Sequence, residues 1–278
     1  MKHKPIAALL VIVAVISAAW YAFLFYKSMP TILLTNDDGI SAPGLRALHA
    51  VMQGLGDIYV AAPDRERSAS AQSITLLDPV FYSQVADREW AVAGTPTDAV
   101  ILAINRLLPG RPDLVLSGIN HGGNLGENVY YSGTAAAAME GTINGFAACA
   151  LSMVGRSAQP DFSAAAAFSR GLAEIVLQEG LPEGVMLNVN IPAKWAGGVQ
   201  FTRQSKKITR NFLQEGVDPR GRKFVWLSEQ KQINDVEPDT DYAAIFEGNA
   251  SITPLSLDRT HTTSLNHLSH WAEKLRRR

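Results

Sequence analysis

The sequence has one cysteine, Cys149, among 278 residues and almost no net charge. A single cysteine excludes an intramolecular disulfide framework and a zinc site built from several cysteines. The 25 Lys and Arg residues are balanced by 26 Asp and Glu residues, which leaves a formal charge of -1. The chain therefore lacks the basic excess of a protein that follows a nucleic-acid backbone, and we predict no nucleic-acid polymer as a partner.

Residues 5–26 form one apolar run, preceded by Lys2 and Lys4. About 20 apolar residues span a bilayer, whereas the apolar part of a cleaved signal has about 7–15. The run therefore predicts an N-terminal signal-anchor, residues 1–29, which makes the membrane a partner and places the rest of the chain on the periplasmic or extracellular side. Two alternatives stay open: secretion after cleavage of a signal near Ser17–Ala19, and a buried N-terminal helix in a cytoplasmic protein.

From residue 30 onward, short apolar runs rich in strand-forming residues alternate with amphipathic segments. The segment 43–55 repeats its apolar residues at three- and four-residue spacing, which predicts a helix. This alternation predicts an α/β fold, a Rossmann-like and mostly parallel sheet with helices on both faces. Strands are predicted at 31–35, 58–62, 113–117, 148–154, 185–191 and 251–255, with an antiparallel excursion over 73–92.

After Pro192 the composition becomes more polar and less regular. We predict a core over 30–198, a protruding β-hairpin over 199–247, and a C-terminal strand and helix over 248–278. The terminal helix is expected at 262–275. An arm and a tail that leave the core often pair with a second subunit, which predicts a homo-oligomer.

Three unusual segments follow predicted strands, and ligands bind beyond the carboxyl ends of strands in an open parallel sheet. They are Asn36–Gly39, Arg65–Ser70 and Ser117–Asn124. Adjacent carboxylates repel one another and favour a cation between them, and hydroxyl and amide oxygens complete the shell of a hard cation. Each segment alone could be a solvated turn or loop, but their coincidence at one sheet edge favours a site.

A fourth segment, Tyr131–Thr134, leads into an alanine-rich helix. The free N–H groups at such a helix start would hold a phosphate. Simple capping by Ser132 or Thr134 is the alternative, and the two roles can coexist. His121 is a candidate general acid, although a lone histidine in a glycine-rich loop is more often incidental.

Four motifs in this order closely resemble the survival protein SurE family: TNDDGISAPG, APDRERSASAQSIT, GTPTDAV and DLVLSGINHGGNLGENVYYSGTAAAAMEG. The resemblance implies a metal-dependent nucleotidase that acts on nucleoside 5′- and possibly 3′-monophosphates, assembled as a dimer or tetramer. It implies one divalent ion per subunit, Mg²⁺ or Mn²⁺, held by Asp37, Asp38, Ser68 and Asn120. The residues expected to bind phosphate are Asn124, Ser132, Gly133 and Thr134.

The predicted reaction is transfer of the phosphoryl group to metal-activated water, with Asp37 as the catalytic residue that orients or deprotonates that water. The chain has no nucleophilic cysteine or paired Ser and His that would favour a phosphoenzyme. One alternative is a receiver-like signalling module, which needs a carboxylate where this chain has Ser117–Asn120. A dinucleotide-binding oxidoreductase would need a glycine-rich turn after the first strand. A nucleotide-binding protein without hydrolase activity also stays open.

Overall fold

The computed structural model describes residues 29–155, 157–206, 209–231 and 236–276. Strands and helices alternate along most of this chain. The strands are β1 (Thr31–Thr35), β2 (Asp57–Pro63), β3 (Phe81–Ala86), β4 (Glu89–Ala93), β5 (Leu114–His121), β6 (Ala147–Val154), β7 (Val185–Pro192), β8 (Val199–Phe201), β9 (Thr209–Val217), β10 (Lys223–Lys231) and β11 (Ala250–Ser256). The helices are α1 (Pro43–Met52), α2 (Pro96–Leu102), α3 (Gly133–Ile143), α4 (Ser163–Glu179), α5 (Asp241–Phe246), α6 (Thr262–Leu268) and α7 (Trp271–Arg276).

Nine strands form the central sheet, in the order β3-β4-β2-β1-β5-β6-β7-β11-β8. The six strands β4-β2-β1-β5-β6-β7 pair in parallel with one another. At the two ends of this run, β3 pairs with β4 and β11 pairs with β7 in the antiparallel sense. The chain runs outward from β1 to β2 on one side and returns to β5 on the other. The strand order therefore reverses between β1 and β5, which is where doubly wound sheets form a ligand crevice. The predicted Rossmann-like fold is confirmed.

Helices cover both faces of this sheet because successive side chains of a buried strand point to opposite sides. In β1, Ile32 and Leu34 pack in the cluster that contains α1 and α4. Leu33, between them, packs in the cluster that contains α2 and α3. Apolar strands of this kind can be buried on both faces only when helices cover both, as the sequence predicted.

The start of α2 is fixed by a capping box between Thr95 and Asp98. Asp98 also accepts hydrogen bonds from the main-chain N–H and the hydroxyl of Thr75, at 2.9 and 2.6 Å. Burial raises the pKa of Asp98, but the hydrogen bonds from Thr75 and Thr95 outweigh burial and leave that pKa below its usual value. One carboxylate thus ties the loop before β3 to the helix after β4.

Several elements differ from the sequence-based expectation. β5 continues to His121, so the glycine- and asparagine-rich segment begins inside a strand. β8 pairs in parallel with β11 in the central sheet, while β9 and β10 form a separate two-stranded sheet. The tail is two short helices, α6 and α7, instead of one, and none of their residues is buried.

The predicted transmembrane anchor, and the localisation derived from it, are corrected by the structure. Within the four ranges given above, no helix is long and apolar enough to cross a bilayer. Residues 5–26, on which the prediction rested, lie outside the described residues.

Candidate metal and phosphate site

Asp37 and Asp38 follow β1 at the point where the strand order reverses. The turn that carries them is closed by Asn36, whose Nδ2 donates to the Gly39 carbonyl at 3.0 Å. The Gly39 N–H donates in return to Asn36 Oδ1 at 3.2 Å. This local turn explains why two carboxylates are held side by side at the carboxyl edge of the sheet.

Asp37 is buried, and other elements hold both its main chain and its carboxylate. The Thr134 hydroxyl donates to Asp37 Oδ1 at 2.6 Å, and the Arg67 N–H donates to the Asp37 carbonyl at 2.7 Å. Burial raises the pKa of Asp37 to about 6; the Thr134 hydrogen bond opposes this shift and the charge of Asp38 adds to it. The protein alone therefore disfavours the ionised carboxylate, and a neighbouring cation would favour it.

Asp38 is more open to the cavity than Asp37. Burial also raises its pKa, and the charge of Glu66 acts in the same direction. The main-chain N–H of His121 approaches Asp38 Oδ2 at 3.4 Å and partly offsets the effect of burial. Burial thus disfavours the ionised form of both carboxylates.

Ser68 and Asn120 bring neutral oxygen atoms to the same place. The Ser68 hydroxyl donates to Glu66 Oε1 at 2.7 Å, which leaves lone pairs on the hydroxyl oxygen. Asn120 Nδ2 donates to the Gly122 carbonyl at 2.7 Å, so the amide nitrogen is engaged and Oδ1 is kept as an acceptor. Both side chains can therefore offer oxygen to a hard cation.

A cavity of about 940 Å³ joins these residues to the start of α3. Of the residues predicted from the sequence, the cavity is lined by Asp37, Asp38, Ser68, Asn120, Asn124 and Ser132. Gly133 and Thr134 are not among the lining residues; the Thr134 side chain and the side-chain position of Gly133 face Asp37. Thr134 is fully buried, and its hydroxyl hydrogen is directed at the Asp37 carboxylate.

The cavity ends at the N-terminus of α3, a helix of 11 residues. Ser132 is its N-cap, and Ser132 Oγ accepts from the Ala135 N–H at 3.0 Å. Capping uses the oxygen as an acceptor, so the Ser132 hydroxyl hydrogen stays available to a ligand in the cavity. Asn124, from the opposite wall, donates through Nδ2 to Ser152 Oγ at 2.8 Å.

Glu66 and Tyr131, which lie in two of the segments predicted to form the site, also line the cavity. Four further lining residues were not predicted as site residues: Asn128, Pro160, Phe162 and Leu227. Phe162 packs edge-on against His121, with ring centroids 6.1 Å apart. Leu227 comes from β10, far along the chain from every predicted site residue. No sequence signal marks these two apolar side chains, since apolar residues are common everywhere in a globular domain.

Across the part of the chain that the structure describes, no group of three or more His, Cys, Asp or Glu side chains is placed to hold a metal ion. A cation at this site would therefore depend on Ser68 and Asn120 as well as on the two aspartates. Such an all-oxygen set suits a hard cation rather than zinc.

Comparison with known proteins identifies the family of this chain. The family described as Survival protein SurE matches residues 32–211, more than half of the chain. The chain belongs to the SurE family.

The curated relatives include the 5'-nucleotidase SurE of Geotalea uraniireducens, 47% identical over 244 residues that cover 86% of this chain and 98% of the relative. The 5'-nucleotidase SurE of Pelobacter propionicus is 46% identical over 244 residues, which cover 86% of this chain and 98% of the relative. Among solved structures, the SurE protein from Aquifex aeolicus superimposes with a TM-score of 0.79 at 39% identity. That match covers 87% of this chain and all of the Aquifex chain.

Proposed function

We propose that this SurE family member is a divalent-metal-dependent 5'-nucleotidase, a hydrolase that removes phosphate from nucleoside monophosphates. One observation carries the proposal. Two carboxylates, two neutral oxygen ligands and a capped helix N-terminus line a single cavity, in a chain 47% identical to a curated 5'-nucleotidase.

The donor set fits a hard cation, and the family is metal-dependent. Burial raises the pKa of both Asp37 and Asp38, so a cation beside them would favour their ionised forms. We assign Asp37, Asp38, Ser68 and Asn120 as ligands of one Mg²⁺ or Mn²⁺. When bound, a divalent cation activates water as a nucleophile and offsets negative charge on a phosphoryl group.

The remaining roles are assigned to the residues of the chain itself. Asp37 is held at two points, and we assign it the task of orienting the attacking water or accepting its proton. The Ser132 hydroxyl, the main-chain N–H groups of Gly133 and Thr134, and the Asn124 side chain are assigned to the phosphate. The start of a helix favours an anion because its N–H groups are unpaired and its dipole is positive there.

The receiver-like alternative is not favoured. It requires a carboxylate at the end of the central strand β5, and no residue from Ser117 to His121 in this strand carries one. A nucleotide-binding protein without hydrolase activity would not need two adjacent carboxylates next to the phosphate position, since they repel the ligand unless a cation lies between.

The test is phosphate release by the full chain from a panel of nucleoside monophosphates, with Mg²⁺, with Mn²⁺ or with excess EDTA. We expect activity only with a divalent cation. Asp38→Asn should lower kcat by several powers of ten because it removes a ligand charge. The control Asp57→Asn changes a surface carboxylate paired with Arg88 and should keep the wild-type rate. Undiminished hydrolysis in EDTA would rule out the proposed function.

We also propose that the protein is a homodimer or homotetramer. The support is the hairpin of β9 and β10, on which Leu213 is 58%, Val225 50% and Trp226 67% exposed. Exposed apolar side chains in one contiguous element mark an interaction surface. Light scattering on the purified chain should give a mass above that of one 30.0 kDa subunit; a monomer at micromolar concentration would contradict the proposal.

A further inference from the structure

A cluster of buried amide side chains lies beside the cavity, at the carboxyl ends of β6 and β7. Asn188 and Asn190 are two residues apart on β7, so their side chains point to the same face of the sheet. Both are fully buried, as is Ser152 on β6. None of these residues lines the cavity, and all three approach Asn124 in the loop that follows β5.

The hydrogen bonds in this cluster converge on Asn124. Asn190 Oδ1 accepts from the Asn124 N–H at 2.8 Å, and Asn190 Nδ2 donates to the Asn124 carbonyl at 3.1 Å. Asn188 Nδ2 donates to the same carbonyl at 2.8 Å. The Asn124 side chain donates to Ser152 Oγ, so its main chain is held by β7 and its side chain by β6.

The loop needs an external support of this kind. It begins at Gly122, whose φ of 136° lies in a region that only glycine adopts readily, and Gly123 follows. Two successive glycines give the backbone little intrinsic preference for one conformation. The same loop connects the proposed metal ligand Asn120 to the proposed phosphate ligand Asn124.

We propose that Asn190, assisted by Asn188, is a positioning residue that fixes the 120–124 loop for catalysis through the main chain of Asn124. The inference rests on the proposed function for its kinetic consequence. The Asn190 amide binds Asn124 as the main chain of a neighbouring strand would. Its Oδ1 accepts from the Asn124 N–H, and its Nδ2 donates to the Asn124 C=O. When the Asn190 amide is removed, the Asn124 carbonyl still accepts from Asn188. The Asn124 N–H is buried and regains no partner from solvent.

The first test is kinetic and uses Asn190→Ala, Asn188→Ala and a control, Val176→Ala. Val176 is buried in α4 and belongs neither to the cavity lining nor to the hydrogen-bonded cluster, so its truncation is expected to lower stability alone. Measured well below the melting temperature, Asn190→Ala should lower kcat/KM by about 10- to 100-fold, because the buried Asn124 N–H loses its acceptor. Asn188→Ala should lower kcat/KM by a smaller factor, because Asn190 still donates to the Asn124 carbonyl.

The inhibition constant for inorganic phosphate should rise most in Asn190→Ala and less in Asn188→Ala. Val176→Ala should keep the wild-type inhibition constant and kcat/KM. If all three variants lose melting temperature and keep wild-type kinetics, the cluster only stabilises the fold and the inference is wrong. Absence of hydrolysis by the wild-type chain would instead contradict the proposed function.

The second test does not depend on activity. Hydrogen–deuterium exchange of a peptide that contains residues 120–126 should accelerate in Asn190→Ala relative to the wild-type chain and to Val176→Ala. The reason is that the Asn124 N–H loses its acceptor. Unchanged exchange in this peptide would overturn the inference whether or not the wild-type chain hydrolyses nucleotides.

Discussion

Replacing Gly133 by alanine should displace the Asp37 carboxylate, because α3 begins in direct contact with it. A Cβ atom on Gly133 would lie 2.7 Å from Asp37 Cβ and 2.9 Å from Asp37 Oδ2. Ordinary carbon–carbon contacts are about 3.5–4.0 Å, so one of the two elements must move by about 1 Å. Ser70 Oγ, also 2.7 Å away, can rotate aside, but Asp37 Cβ is fixed to the backbone after β1.

Overpacking of this size costs about 1–3 kcal/mol of stability. Misplacement of a reacting group by about 1 Å can cost on the order of 100-fold in rate. We therefore expect Gly133→Ala to lower kcat/KM about 100-fold and to lower Tm by several degrees, measured by phosphate release and by calorimetry.

Gly171, inside α4, provides the matched control, since a Cβ there meets no atom within 4 Å. Alanine is favoured over glycine in a helix by roughly 0.5–1 kcal/mol, so Gly171→Ala should raise Tm slightly and leave kcat/KM unchanged. Wild-type Tm and kcat/KM for Gly133→Ala would refute the argument that Asp37 is held by close packing against α3.

Two further predictions concern hydrogen bonds to carboxylates. Thr134→Val keeps the shape of the side chain but removes the donor to Asp37, so we expect kcat/KM to fall 10- to 100-fold. Thr134→Ser keeps the hydroxyl, and its kcat/KM should stay within a few-fold of wild type. Equal losses of kcat/KM in the two variants would contradict a role for the hydroxyl. Asp98→Asn should lower Tm by a few degrees at pH 7, because it weakens the cap of α2. Since the pKa of Asp98 is lowered in the folded state, its contribution exists above the unfolded value of 3.8 and is lost as the pH falls through the folded value. The difference in Tm from wild type should therefore shrink in acid; a constant difference from pH 7 to pH 3 would exclude this role for the charge.

The sequence by itself was sufficient for the fold class. Its strands, such as Thr31–Thr35, are short apolar runs, and its helices show three- and four-residue spacing, so the period of the pattern specified each element. The Asn36–Gly39 turn and the Ser132 cap were also predictable, because the residues that form them are neighbours in the chain. Long segments with one buried face leave little choice of secondary structure.

The first and last residues of strands that pair with elements distant in the sequence were less well predicted. β5 continues through Gly118 to His121 because β6 lies beside it and pairs with Asn120 and His121. β8 has only three residues and exists because it pairs with β11. A strand of that length has no pattern of its own, so only tertiary pairing decides it.

For the site, the sequence determined which residues carry the chemistry, and the tertiary structure decided what each of them contacts. Motif order placed Asp37 and Asn120 at strand ends, but no local pattern could show that the Thr134 hydroxyl meets Asp37 across 97 residues. The same holds for Asn190, 66 residues from Asn124. Sequence periodicity reports only which face of a strand or helix is buried. The partner that a buried polar side chain finds depends on how separate elements pack, and that is fixed only when the sheet is assembled.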